Sequence, residues 1–361
     1  MDSVQKEQKA VSCVSEKAKW WEGRRALDAR MERLLEEMEG LLGCWQGLLL
    51  PLTSDPELSV QAKHLQKTLA AWGAQTSEEM LKAVLSASPL LSQSQLQWFA
   101  QGVCVERGKQ FVDLVQTAAA VLADRPEPQG HVVLLLDKYL QKLPWESISC
   151  LRPCSVTRMP SLHSLLGHCA LKESDPGCVL NGGVDPKQVF YVLNPDANLG
   201  DTEERFKQSF TSEQHWQGVC GVAPDPDQLQ DAVTAKDLYI YVGHGAGARF
   251  LDGQRILKKE MRAASLLFGC SSAALAVRGE LEGTGIILNY LMAGCPLILG
   301  NLWDVTDRDI DRFTKALLES WLSAGPGAPL LDHMALSRQA THLKHLIGAA
   351  PVVYGLPIHL R

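Results

Sequence analysis

The chain has 361 residues, 46% of them hydrophobic, with 35 Lys and Arg against 41 Asp and Glu for a formal net charge of −6. That length predicts two or three compact units with real cores. The acidic balance gives no global attraction for nucleic acid or an anionic membrane surface, so neither partner is expected. The ten cysteines are irregularly spaced and form no Cys-x-x-Cys pair, and the opening 19 residues are polar and mixed in charge. Free thiols in a reducing compartment fit that pattern better than a disulfide framework behind a secretory signal. The longest apolar runs, Gly47–Leu52 and Val132–Leu136, are far too short to span a bilayer.

Residues 16–123 read as helical. Trp20, Leu27, Met31, Leu34, Leu35, Met38, Leu41, Leu42 and Trp45 recur at helical spacing until Pro51 ends the run. Further helices are expected over Glu57–Trp72, Ser77–Ser86 and Ser92–Ala123. Ser77 with Glu78 and Glu79 makes a reasonable helix start, and the tryptophans and methionines read as core packing. Arg125-Pro-Glu-Pro-Gln-Gly130 is a cluster of breakers and a plausible boundary.

Beyond it, apolar runs of strand length appear at Val132–Leu136, Val189–Leu193, Leu238–Val242, Ala264–Phe268, Pro296–Gly300 and Pro351–Tyr354. Ser155–Met159 also reads as a strand. Helical stretches are expected between them, over Thr202–Thr211, Asp227–Thr234, Gly283–Ala293, Thr306–Leu322 and Pro329–Leu346. Continuous apolar strands alternating with helices predict an α/β fold whose largely parallel sheet is covered on both faces. The expected divisions are a helical region over 1–125, a front α/β part over 126–200 and a second α/β part over 201–361. In such sheets chemistry sits beyond the carboxyl ends of the strands.

Two strands end in unusual residues. Leu238–Val242 runs into Gly243-His244-Gly245-Ala246-Gly247, and Ala264–Phe268 runs into Gly269-Cys270-Ser271-Ser272. Neighbouring parallel strands lie about 4.8 Å apart, so His244 and Cys270 can face one cleft. A thiolate is a nucleophile, an imidazolium beside it favours the thiolate, and the imidazole can protonate a leaving amine. The backbone N–H groups of Gly245 and Cys270 are natural donors to a developing oxyanion. No third residue is evident from spacing.

Other readings compete with this one. Gly243-x-Gly245-x-x-Ala248 after a strand fits a loose dinucleotide fingerprint, with Glu260 placed for a ribose. Arg249, Phe250 and Asp252-Gly253 then make a poor helix start. Cys150, Cys154, His163 and His168 resemble a zinc set, but the gap between the pairs is short. Taken alone, a buried thiol is more often a small hydrophobe than a nucleophile. A catalytically silent scaffold that binds partners is a third alternative.

The strings around the pair resemble the separase family. They are YIYVGHGAGARFLDG, LLFGCSSAALAVRGELEG and AGCPLILGNLWDVTDRDID, within Tyr239–Asp311. The similarity extends forward to LIGAAPVVYGLP and back through LPWESISCLRPCSVTRMPS to KWWEGRRALDARMERLLEEMEGLLGCWQGLLLP. This resemblance implies a caspase-like α/β/α sandwich preceded by an all-helical region that helps build the substrate groove. It also implies that the front part is a degenerate protease half. The implied enzyme is a cysteine endopeptidase with His244 and Cys270 as its catalytic residues. The implied substrate is the kleisin subunit of cohesin, cut at anaphase after an arginine with an acidic residue three positions upstream.

An arginine pocket needs a carboxylate. Asp304 is the first choice, then Asp307, with Asp309 and Asp311 behind and Trp303 as a pocket wall. Arg249, Arg255 and Lys258, with Lys259 and Arg262, are expected to attract acidic substrate flanks. The resemblance implies no metal or organic cofactor. It implies securin as a pseudosubstrate inhibitor, cyclin-dependent kinase with cyclin B as a second inhibitor, and action in cytoplasm and nucleus, on chromosomes and centrosomes.

Overall fold

A computed structural model describes residues 14–51, 55–123 and 130–361. The chain forms two compact units. The first takes the chain up to Glu32, Val133–Pro144 and Val156–Arg361; the second takes Arg33–Val132 and Trp145–Ser155.

The second unit is helical. Helices Pro56–Ala71, Glu78–Ala87, Gln93–Val103 and Gly108–Val121 enclose a core that includes Leu58, Leu65, Leu81, Leu85, Phe99, Phe111 and Val115. Their starts are chemically marked. The Asp55 side chain accepts from Glu57 N and Leu58 N ahead of a proline, Ser77 accepts from Met80 N, and Ser92 and Gln95 form a capping box. The single helix expected over Ser92–Ala123 is instead two. Cys104 is extended (φ −152°, ψ 81°) and a 3-10 turn, Val105–Arg107, intervenes. Gly102, β-branched Val103 and Val105, and Gly108 weaken a continuous helix at that point.

The first unit holds one eight-stranded sheet. Its strands are β1 His131–Leu135, β2 Ser155–Met159, β3 Val189–Leu193, β4 Gln217–Cys220, β5 Leu238–Val242, β6 Ala264–Leu267, β7 Leu297–Asn301 and β8 Pro351–Gly355. Their order is β1-β2-β8-β7-β6-β5-β3-β4. The pairs β3–β4, β3–β5, β5–β6, β6–β7 and β2–β8 are parallel, and β7–β8 is antiparallel. Every residue of β3, β5, β6, β7 and β8 is buried, which is why these strands read as unbroken apolar runs.

The break expected near residue 200 is absent. Strand β3 lies directly beside β5, and both contribute to one continuous core. Two elements were not legible. Strand β4 is an edge strand whose first two residues are exposed, and it carries no apolar run. Helix Leu162–Ser174 buries only His168.

The helix expected over Pro329–Leu346 is mostly not one. A 3-10 turn, Leu330–His333, leads into the short helix Met334–Arg338, and turns follow. Two carboxylates take the backbone donors there. Asp309 accepts from His342 N at 3.0 Å and Leu343 N at 3.1 Å, and Asp28 accepts from His345 N at 2.9 Å and Leu346 N at 2.7 Å. Such side-chain acceptors offer the backbone an alternative to helical bonding.

Candidate active site

Strands β5 and β6 pair up to Tyr241↔Leu267, so His244 and Cys270 each lie three residues past the same rung. The loops that follow are in backbone contact. A Cβ built on Gly269 would fall 2.5 Å from Gly243 O and 2.8 Å from Gly245 N, with Gly245 O closer still. Only glycine allows that approach. Gly245 and Gly247 take left-handed conformations (φ +59° and +70°), and the Tyr241 hydroxyl donates to His244 O at 2.8 Å.

On the other side, the end of β7 fastens the Cys270 loop. Asn301 Nδ2 donates to Gly269 O at 3.0 Å. Ser272 Oγ donates to Leu267 O at 2.7 Å and accepts from Asn301 N at 2.9 Å. Cys270 is half-buried, and its Sγ donates to Val305 O at 3.2 Å. The next residue, Ser271, is left-handed (φ +52°), which a non-glycine residue adopts at some energetic cost. It is held there by a bond from its N–H to Trp303 O at 3.1 Å and by its Oγ donating to Asp304 Oδ1 at 2.6 Å.

His244 is exposed, and its Nε2 lies 2.9 Å from Asn198 Oδ1. Asn198 belongs to the loop after β3, which is itself tied down. Buried Asn194 accepts from Asn198 N and Leu199 N at 3.0 Å each and donates to Glu203 Oε2 at 2.9 Å. Arg249, in the His244 loop, pairs with Asp196 at 2.6 Å.

Beside this histidine opens a cavity of about 400 Å³. Its floor is built from the starts of helices Gly200–Ser212 and Asp307–Leu322, through Asn198, Asp201, Thr306 and Asp307; Trp20 and Trp21 form a wall. The two indoles meet edge to face, 5.0 Å between centroids. Burial raises Asp307 above the usual carboxylate range. The positive fields of His244 and Arg205 oppose that rise, and Asp201 adds to it. Burial lowers the Arg24 guanidinium, against the attraction of Cys270 and Asp304, and its Cζ sits 5.1 Å from the Trp20 ring. Trp20 Nε1, Arg24 Nε and the buried Thr306 Oγ1 have no hydrogen-bond partner among the described residues.

The other expected site residues fall out differently. Trp303 is half-buried against the core and donates from Nε1 to Leu346 O at 2.8 Å. Asp309 is buried and committed to Arg312 and to two backbone donors. Asp311 is buried and held by Arg205 and the Thr202 hydroxyl. Neither Asp309 nor Asp311 has a face toward a ligand.

Most of the basic cluster is ion-paired. Arg249 pairs with Asp196, Arg255 with Asp227, Lys259 with Asp231 and Arg262 with Asp237; Lys258 is exposed. Each of these acids is distant in sequence from its partner, so the neutralisation was invisible in one dimension.

The dinucleotide reading of Gly243, Gly245 and Ala248 is also corrected. The loop leads to a helix of only four residues, Gly253–Ile256, too short to present the N-terminus that a pyrophosphate needs. Both ring nitrogens of His168 lie against backbone carbonyls, of Ser164 and Cys295. Asn198, Asp201, Trp20, Trp21 and Arg24 were missed. The one available signal was the i, i+4, i+8 spacing of Trp20, Arg24 and Asp28, which aligns them on one helix face.

The fold is a mostly parallel α/β sheet with histidine and cysteine loops at matched strand ends, beside a cavity lined by charges of both signs, Asp201 and Asp307 with Lys17, Arg205 and Arg308. The sequence model described as "Separin, protease domain" matches residues 1–310, and the chain belongs to that family. It is 54% identical to mouse separin, over 100% of this chain and 17% of that protein. It is 32% identical to the separin of Schizosaccharomyces pombe, over 96% of this chain and 21% of that protein. The chain therefore spans about a fifth of the length of these relatives. Its fold superposes on separase in a Saccharomyces cerevisiae separase–securin crystal structure with a TM-score of 0.86, at 27% identity, covering 100% of this chain and 27% of that one.

Proposed function

We propose that the chain is a cysteine endopeptidase site in which Cys270 is the nucleophile and His244 the general acid and base. The observation that carries this is the packing of Gly269 onto the Gly243–Gly245 backbone, which brings the two loops together at one register. The Cys270 thiolate attacks the scissile carbonyl carbon. The oxyanion takes hydrogen bonds from the N–H groups of Gly245 and Cys270. His244 protonates the departing amine, and then removes a proton from the water that hydrolyses the thioester.

The cavity beside His244 suits the side chain of a substrate arginine. It offers Asp307 to a guanidinium and indole walls to its flat faces, while Asp201 is paired with Arg205 at 3.6 Å and Lys17 and Arg308 also line it. Asp307 is favoured over Asp304 for this role, because Asp307 lines the cavity, whereas Asp304 does not and already accepts from Ser271. Asp304 then serves to fix the left-handed turn after the nucleophile, and Trp303 to anchor its backbone.

The family supports a kleisin substrate, cut after arginine with an acidic residue three positions upstream, to release sister chromatids. The yeast separase–securin neighbours support securin as a cleft-binding inhibitor; cyclin-dependent kinase with cyclin B is proposed as a second. The test is to incubate the chain with a kleisin fragment, wild type beside Cys270→Ser, and to map the cut. Cleavage after arginine by wild type alone is expected. Cleavage at another residue, or by both proteins, would overturn the reading.

A further inference from the structure

We propose that Asn198 is the third member of the catalytic group, a positioning residue that commits Nε2–H of His244 and leaves Nδ1 as the nitrogen that exchanges protons with Cys270 and the substrate. This rests on the reading above and deepens it.

The geometry makes the case. A neutral imidazole carries one N–H donor and one acceptor, and the partner at one nitrogen sets the chemistry at the other. Asn198 Oδ1 lies 2.9 Å from Nε2, so an N–H there points at an acceptor. His244 is exposed, and the packing around an exposed ring does not fix its rotation. A polar partner on a rigid support supplies the missing constraint.

That support is traceable residue by residue. Asn194 follows β3 directly, takes a left-handed conformation (φ +49°) and donates from its backbone to Val242 O at 2.8 Å, extending the β3–β5 pairing. Its carboxamide oxygen takes the N–H groups of both Asn198 and Leu199. Its Nδ2 is anchored on Glu203, which Lys207 pairs at 3.0 Å. Pro195 Cδ lies 2.9 Å from where a Cβ on Gly243 would sit. The loop that carries Asn198 is thus fastened to the strand that carries His244.

An amide has one property that a carboxylate lacks in this place: it accepts without adding charge. The charged groups around the ring are already numerous. Asp307 lies within electrostatic range of it, Asp201 and Arg205 act on Asp307 in turn, and the Asp196–Arg249 pair bridges the two loops. A neutral acceptor aligns the ring and leaves it free to release its proton during the cycle.

The test compares Asn198→Ala and Asn198→Asp in the full chain. It measures kcat and KM on an arginyl peptide across pH, with Cys270→Ala as the control for the parent reading. Asn198→Ala is expected to lose about 10²-fold in kcat, the scale of a small misplacement of a reacting group, with KM nearly unchanged. Asn198→Asp keeps the acceptor and adds a charge that favours the imidazolium. It is expected to recover most of kcat and to carry the alkaline limb of the profile to higher pH.

Wild-type kcat in Asn198→Ala, or equal losses in both variants with an unmoved alkaline limb, would overturn the role of Asn198 while Cys270→Ala remains inactive. Full activity in Cys270→Ala would instead overturn the parent reading, and this proposal with it.

Discussion

Replacing Gly269 by alanine probes the contact on which the site depends. The added Cβ would stand 2.5 Å from Gly243 O, where ordinary contact begins near 3.4 Å, and Gly245 O is nearer still. Both obstacles are backbone, so no side chain can rotate away. The two loops must part by more than ~1 Å, and a displacement of even about 1 Å costs about 10²-fold in rate when it separates reacting groups. Overpacking of this kind costs about 1–3 kcal/mol of stability, and the core beneath, from Tyr239 to Leu267, stays buried. The assay pairs kcat on an arginyl peptide with a urea denaturation midpoint. A variant that stays folded and loses two orders of magnitude in kcat agrees with the reasoning. A folded variant with wild-type kcat would refute it, because His244 and Cys270 would then not need the loop contact.

Three further variants have expected outcomes. Asp307→Asn should lower kcat/KM for an arginyl peptide about 30- to several-thousand-fold, the range for removing one partner of a desolvated charge pair. Burial raises Asp307, so the folded chain holds that proton more tightly than the unfolded chain, and stability falls as pH rises above the ordinary carboxylate range. The asparagine variant should therefore lose less stability than wild type between pH 4 and pH 7, read from denaturation midpoints; a larger loss would contradict the assignment. Trp20→Ala should raise KM for an arginyl peptide more than for one with a small apolar residue at the same position, and equal effects would remove Trp20 from the cavity wall. Asp28→Ala strands His345 N–H and Leu346 N–H, at about 1–3 kcal/mol for an unsatisfied buried donor, and an unchanged denaturation midpoint would contradict that bond's importance.

The sequence carried the sheet well because burial on both faces writes a strand as an apolar run; Val189–Leu193 and Leu238–Val242 are observed with the bounds expected. It failed where burial is one-sided or weak, as at β4 and helix Leu162–Ser174. It also failed where a distant carboxylate captures backbone donors, as Asp309 and Asp28 do near Leu343 and Leu346. The histidine and cysteine were legible because glycines flank them at strand ends. Asn198, Trp20 and Arg24 were not, because each sits far along the chain from the residues it serves. The ion pairs of Arg249 and Arg255 were hidden for the same reason.

Thiol chemistry offers the most direct test of the central claim. Burial pushes the Cys150 and Cys295 thiols up to about 12 and Cys44 up to about 11, so these three stay protonated near neutral pH and react slowly. An arginyl acyloxymethyl ketone, followed by peptide mass spectrometry, reads which cysteine is attacked. The account predicts stoichiometric labelling of Cys270, slowed at least tenfold in His244→Ala and blocked by excess arginyl peptide. Labelling of another cysteine, or labelling of Cys270 at an unchanged rate in His244→Ala, would contradict it.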